Sequence, residues 1–133
     1  MKKLLILLVV FPLFLQAQPL VFLGSSRSAV QKYMSYEIRW MAVKSTADEL
    51  TFRNPHEKVT VSYRFVKNTL GTARTCIMCT VTLPDSASAD SYADERMFSC
   101  RFRPEEIGWI LNTDLNDLQI KVFRLGNSFI YKY

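Results

Sequence analysis

The sequence predicts an α+β fold: an antiparallel β-sheet with one or two helices packed on one face. Three observations lead there. Apolar and polar residues alternate strictly over several segments between residues 49 and 103 and again after residue 118. Turn signals separate those segments at Asn54-Pro55, at 68–71 and at Gly126-Asn127. Only two stretches repeat apolar residues at helical spacing, one early and one late, which suits helices added to a sheet rather than woven between parallel strands.

The first residues are read as a leader. Met1 to Lys3 are basic, the 12 residues from Leu4 to Leu15 contain no polar side chain, and Gln16-Ala17-Gln18 offers a small residue for cleavage. That order of parts predicts a signal peptide over 1–17, cleaved after Ala17, and a single domain over 18–133 that works in the periplasm or as a secreted protein. An apolar run of this length falls short of the ~20 residues that cross a bilayer, so no stable membrane anchor is expected after cleavage. Loss of Lys2 and Lys3 brings the balance of 17 basic and 12 acidic residues to 15 against 12. That excess is too small to argue for a nucleic-acid partner.

After the leader, Ser25 or Ser26 is placed to cap a helix whose apolar stripe is Val30, Tyr33 and Met34. Residues 37–43 fit either an extension of that helix through Ile38 and Met41 or a strand, and the strand is preferred. Leu50 and Phe52, then Val59, Val61, Tyr63 and Phe65, predict a hairpin about Asn54-Pro55-His56-Glu57. Thr75 to Leu83 reads as a strand with Ile77, Cys79, Val81 and Leu83 on the inner face and Cys76, Met78, Thr80 and Thr82 on the outer. Residues 84–95 are polar and acidic and read as a solvated excursion with room for a short helix, the longest loop of the domain. Met97 to Arg103 is expected as a strand with Phe98, Cys100 and Phe102 inward. Pro104-Glu105-Glu106 looks like a helix start, with Ile107, Ile110 and Leu111 as its buried stripe. A hairpin over Leu118 to Leu125 and Phe129 to Tyr133 closes the chain at Gly126-Asn127.

Chemistry-bearing residues are few. Cys76-Ile77-Met78-Cys79 has the spacing of thiol oxidoreductases, yet those place the first thiol at a helix N-terminus, whereas here the pair lies in a strand, where positions three apart point to opposite faces. A thiol-dependent enzyme using Cys76 and Cys79 is therefore the alternative, and Cys79 with Cys100 is the pair favoured for a disulfide, since both face inward. A soft-metal set of Cys76, Met78, Cys79, Met97 and Cys100 is split between faces by the same alternation, so no metal or cofactor is predicted. The only histidine, His56, sits in a turn, which suits a solvated residue better than an oriented base. Asp85, Asp90, Asp94 and Glu95 lack the glycine and ligand spacing of a calcium loop. No catalytic residue is assigned.

The polar face of the sheet carries Arg64, Arg101 and Arg103, and these are the residues predicted to meet a partner, because Arg pairs well with carboxylates and is enriched at interfaces. A pocket between helix and sheet near Trp40 and Trp109 is the site expected for a small ligand, should the domain take one.

Phe22-Leu23-Gly24-Ser25-Ser26-Arg27-Ser28-Ala29-Val30, followed by a short helix and then strands, resembles the opening of small bacterial envelope proteins of the BamE-like and β-lactamase-inhibitor-like type. In those a Gly-Ser/Thr-x-x-x-Val helix precedes antiparallel strands. The resemblance covers these residues and the order of elements, and it carries over no functional residue. It implies a domain that binds another envelope or extracellular protein instead of catalysing a reaction. Together these readings predict an exported, non-catalytic binding module that uses its exposed sheet face and the 84–95 loop.

Overall fold

The computed structural model describes residues 21–67, 73–99, 102–105, 108–112 and 119–133, with side chains of 96–99, 102–105, 110–112 and 119 left undescribed. Two helices and eight strands make up these residues: α1 (Arg27–Tyr36), β1 (Met41–Ser45), β2 (Glu49–Asn54), β3 (Val59–Lys67), β4 (Arg74–Thr82), α2 (Ser86–Ser99), β5 (Phe102–Glu105), β6 (Gly108–Asn112), β7 (Gln119–Leu125) and β8 (Ser128–Lys132). The strands form one antiparallel sheet in the order β1-β2-β3-β4-β8-β7-β6-β5. It is two four-strand meanders joined where β4 pairs with β8, and α2 carries the chain from the middle of the sheet to its far edge. The predicted α+β class and antiparallel sheet are thus what the chain forms.

Helix α1 begins as its sequence indicates. The Ser26 hydroxyl accepts a hydrogen bond from the Ala29 N–H at 3.2 Å, satisfying one of the free donors of the first turn. Val30 and Met34, four apart, are the buried residues of its stripe, while Tyr33 stays half exposed with its ring edge-on to Phe22. The helix ends at Tyr36 with Glu37 as its cap, and the strand begins at Met41, so of the ambiguous residues 37–43 only the last three are extended. Ahead of the helix, residues 24–26 line the start of β4: Gly24 N–H donates to the Cys76 carbonyl at 2.9 Å and Cys76 N–H to the Ser25 carbonyl at 2.8 Å. Gly24 has φ +85°, a conformation that only glycine adopts freely.

The predicted hairpin at Asn54 is present, and its turn is held by a side chain. Asn54 is 2% exposed, and its Oδ1 accepts from the N–H groups of both His56 and Glu57, each at 3.1 Å. The carbonyl oxygen of this amide does what a helix cap does, satisfying two donors that the turn would otherwise leave unpaired. The closing hairpin is also as expected. Leu125 pairs with Ser128 across Gly126-Asn127, and the positive φ of Gly126 alone is the pattern of a II′ turn.

Two expectations fail in the second half, and a third is exceeded. The short helix allowed within 84–95 is a long one: Asp85 accepts from Ser88 N–H at 2.7 Å and caps α2, which continues through Met97 to Ser99, so those last residues are not the start of a strand. Among its described side chains the buried ones are Ala89 and Tyr92, and an alanine and one tyrosine leave too faint a stripe to read against so many polar neighbours. Where a helix was expected after Pro104, the chain forms β5 and β6. Pro104 has no N–H for a ladder, but β5 is the last strand of the sheet and one of its sides needs no partner. Ile107 lies outside the described residues.

The core is one cluster. Leu50, Phe52, Val61, Tyr63, Phe65, Val81, Phe129, Tyr131 and Val122 from the sheet meet Val30 and Met34 of α1 and Ala89 and Tyr92 of α2, with Trp40 and Trp109 packed against its edge. The Tyr92 and Tyr131 hydroxyls bond to each other inside it, so neither polar tip is buried unpaired. Replacing Asn54 with Ala should lower stability by about 1–2 kcal/mol, as loss of a helix cap does. Urea unfolding should show a lower midpoint at unchanged slope, and an unchanged midpoint would mean that water satisfies the two N–H groups equally well.

Candidate functional site

Two places gather the residues that carry chemistry: the thiols of β4 and the solvent-facing side of the sheet. In β4 the register against β3 shifts between Arg64 and Phe65, so that Met78 faces Arg64, Cys76 faces Phe65 and Ile77 is the extra residue of a bulge. The bulge reverses the alternation, and Cys76 and Cys79 both turn inward, each fully buried, while Ile77 does not. This corrects the expected arrangement, in which Cys76 faced outward and Ile77 inward. The correction arises because a period-two reading assumes an unbroken ladder.

Burial determines what these thiols do. Taking a thiolate out of water pushes the Cys76 pKa up to about 11, against a smaller lowering by a backbone hydrogen bond at Met78, and pushes Cys79 well above the ordinary thiol range. Tyr63, directly opposite Cys79 in the ladder, is raised by the same burial. Both cysteines are free and protonated at neutral pH, which is the reverse of what a nucleophilic or redox-active thiol needs. Cys100, the expected partner of Cys79, lies outside the described residues. Among the described residues no three His, Cys, Asp or Glu side chains gather as a metal site. His56 is exposed in its turn. The acidic residues after Pro84 have structural partners instead: Asp85 caps α2, and Asp90 pairs with Arg124 at 2.7 Å while that guanidinium lies over the Phe129 ring.

The other side of the sheet is built from the alternate residues of the same strands. Thr60, Ser62, Thr80 and Thr82 are partly accessible there and Arg64 is exposed. Register carries one row across the molecule: Glu49 faces Arg64, Arg64 faces Met78, Met78 faces Lys132, and Lys132 faces Lys121. The backbone continues this row through Ile110 to residue 103, which places Arg103 on it by position, whereas Arg101 lies outside the described residues.

The carboxylate at the head of the row is already occupied. Glu49 accepts from Lys44 Nζ at 3.0 Å, from Ser62 Oγ at 2.9 Å and from Thr51 Oγ1 at 3.3 Å, and these donors hold its pKa below the usual range. Arg64 stands directly across from it yet makes no ion pair among the described residues. A depression of about 180 Å³ opens here, lined by Glu49, Ser62, Arg64, Met78 and Thr80. Farther along, Lys132 Nζ lies over the Phe123 ring at 5.0 Å. Lys121 and Lys132 were not singled out in the sequence. Their outward position in the last hairpin is readable by alternation, but their alignment with Arg64 depends on β4 pairing with β8.

A second depression of about 390 Å³ lies between the β2–β3 hairpin and α2, lined among others by Glu57, Val59, Leu83, Ser88, Tyr92 and Glu95. Neither depression is lined by Trp40 or Trp109, near which a ligand pocket was expected. Arg27, which could have served an anion at the start of α1, is engaged by the Thr46 carbonyl at 2.9 Å, by Gln31 and by Ser45.

Comparison with models of known protein families, with curated proteins and with solved structures finds no match to this chain.

The shifted groups fix how stability depends on pH. A buried thiol with a raised pKa contributes stability that is whole below its unfolded value of ~8.5 and lost as pH rises toward the folded value. Glu49 and Asp85, both lowered, contribute stability that is present above about pH 4 and lost on acidification below it. Urea midpoints should be flat between these limits and should begin to fall above about pH 8.5, before the unfolded tyrosine range near 10 is reached. Substituting Cys76 with Ala should reduce the slope in that window; an unaltered slope would show that the thiol is solvated.

Proposed function

We propose that this chain is an exported, non-catalytic binding module of the bacterial envelope, carried to the periplasm or beyond by a signal peptide cleaved after Ala17. In this reading both helices cover one face of the sheet, and a protein partner seats on the other. The single observation that carries it is the contrast between the faces. One is filled by a continuous apolar core, and the other presents hydroxyls and Arg64, which has no ion pair among the described residues, around an open depression. A half-buried antiparallel sheet needs polar residues outside, but it does not need a guanidinium left without its cross-strand carboxylate. The resemblance of the Phe22–Val30 segment to small envelope proteins supports the same class of activity.

The enzyme alternative draws little support from the thiols, which are buried and protonated, or from His56, which is exposed in a turn. The small-ligand alternative is favoured by the depression beside α2, which places Ser88, Tyr92 and Glu95 around an apolar floor of Val59 and Leu83.

Exported protein should begin at Gln18 on N-terminal sequencing. Capture of an envelope partner by the tagged protein should disappear with Arg64→Glu combined with Lys132→Glu, and should persist with Cys76→Ala and Cys79→Ala. Capture that ignores the charge reversal, or that depends on the thiols, would overturn the open-face reading.

A further inference from the structure

We propose that the partner presents an extended acidic polypeptide segment, which lies across the strands along the row Arg64, Lys132 and Lys121. This deepens the open-face reading and rests on it.

Charge complementarity carries the argument. Along this row the described cations are Arg64, Lys132 and Lys121, and the one described carboxylate is Glu49, already satisfied by Ser62, Thr51 and, from the neighbouring register pair, Lys44. Arg64 and Lys121 are exposed, and among the described residues neither has an ion-pair partner. Strands in a sheet lie ~4.8 Å apart, so Arg64 and Lys132 are about 10 Å apart in the backbone and Lys132 and Lys121 about 5 Å. Side chains on one face of an extended peptide recur every ~6.8 Å, and flexible Lys and Arg stems cover the difference. The depression at Arg64, with the hydroxyls of Ser62 and Thr80 in its wall, has room for one carboxylate side chain against the guanidinium.

The same face argues against a polyanion with flat rings. Among the described residues its partly exposed aromatic is Phe123, and the Lys132 ammonium, 5.0 Å from the ring centroid, already takes the position a stacking base or sugar would compete for.

The test uses the purified protein and a terminally blocked ten-residue peptide of alternating Glu and Ser, with alternating Gln and Ser as control. Backbone amide shifts on titration should concentrate in β3, β4, β7 and β8 at the row, with the Gln peptide inert and binding weakened by added salt. Arg64→Glu with Lys132→Glu should weaken binding at least about tenfold, and Lys121→Glu, on a different strand, provides a second variant should the first fail to fold. Equal binding of the Glu and Gln peptides, shifts away from the row, or binding of single-stranded DNA or a sulfated polysaccharide without the Glu peptide would overturn the proposal. If the Glu peptide fails while charge-dependent capture of an envelope partner persists, the acidic segment is wrong and the open-face reading stands. If both fail, both fall.

Discussion

The pairing of β4 with β8 is the constraint on which the rest of this structure depends. Five register pairs, from Met78 with Lys132 to Thr82 with Ser128, join residues about fifty positions apart and make two meanders into one sheet. Each meander alone could form from local hairpins, at small loop-closure cost. Neither alone would have a complete apolar face, because Tyr63 and Cys79 of one half lie in the same row as Tyr131 and Val122 of the other. The helices then have a surface broad enough to cover, and α2 can span from the centre of the sheet to β5.

That row and its neighbours also explain why the charged face is free to do something other than hold the fold. Full burial of a side chain such as Phe129 or Val61 is worth about 1.5–3 kcal/mol, and the core contains many of them. The ion pairs Lys44–Glu49 and Arg124–Asp90 are substantially exposed, and pairs of that kind contribute about 0–1 kcal/mol. Stability therefore comes mainly from the apolar core, and the exposed charges contribute little to it. Arg124 is the exception that shows the difference, since its guanidinium is used on the covered side to tie α2 to Phe129.

The β4 bulge is a smaller feature with a large local effect. One extra residue at Ile77 turns Cys76 inward beside Cys79, and burial then silences both thiols. A C-x-x-C pattern that reads as a candidate for redox chemistry thus becomes part of the core. The spacing was legible, but the environment that sets thiol reactivity was not, because nothing local in Thr75–Thr82 marks where the ladder skips. The arginine at 64 was legible as an outward residue from the alternation of β3. That no described carboxylate pairs with it was not, since that depends on Lys44, Thr51 and Ser62 competing for Glu49.

By itself the sequence determined what short-range physics controls. The cap at Ser26, the turns at Asn54 and Gly126, the alternation of β2, β3 and β8 and the α+β class follow from side-chain hydrogen bonding, backbone freedom and period-two burial, all of which act within a few residues. Only tertiary structure decided the rest. Residues 86–99 are helical although their apolar stripe is faint, because Ala89 and Tyr92 find the core. Residues 102–105 and 108–112 are extended because the sheet has an edge to extend, whatever Pro104-Glu105-Glu106 suggests about a helix start. The cationic row exists because β4 meets β8, an association between distant segments whose partners no local pattern names.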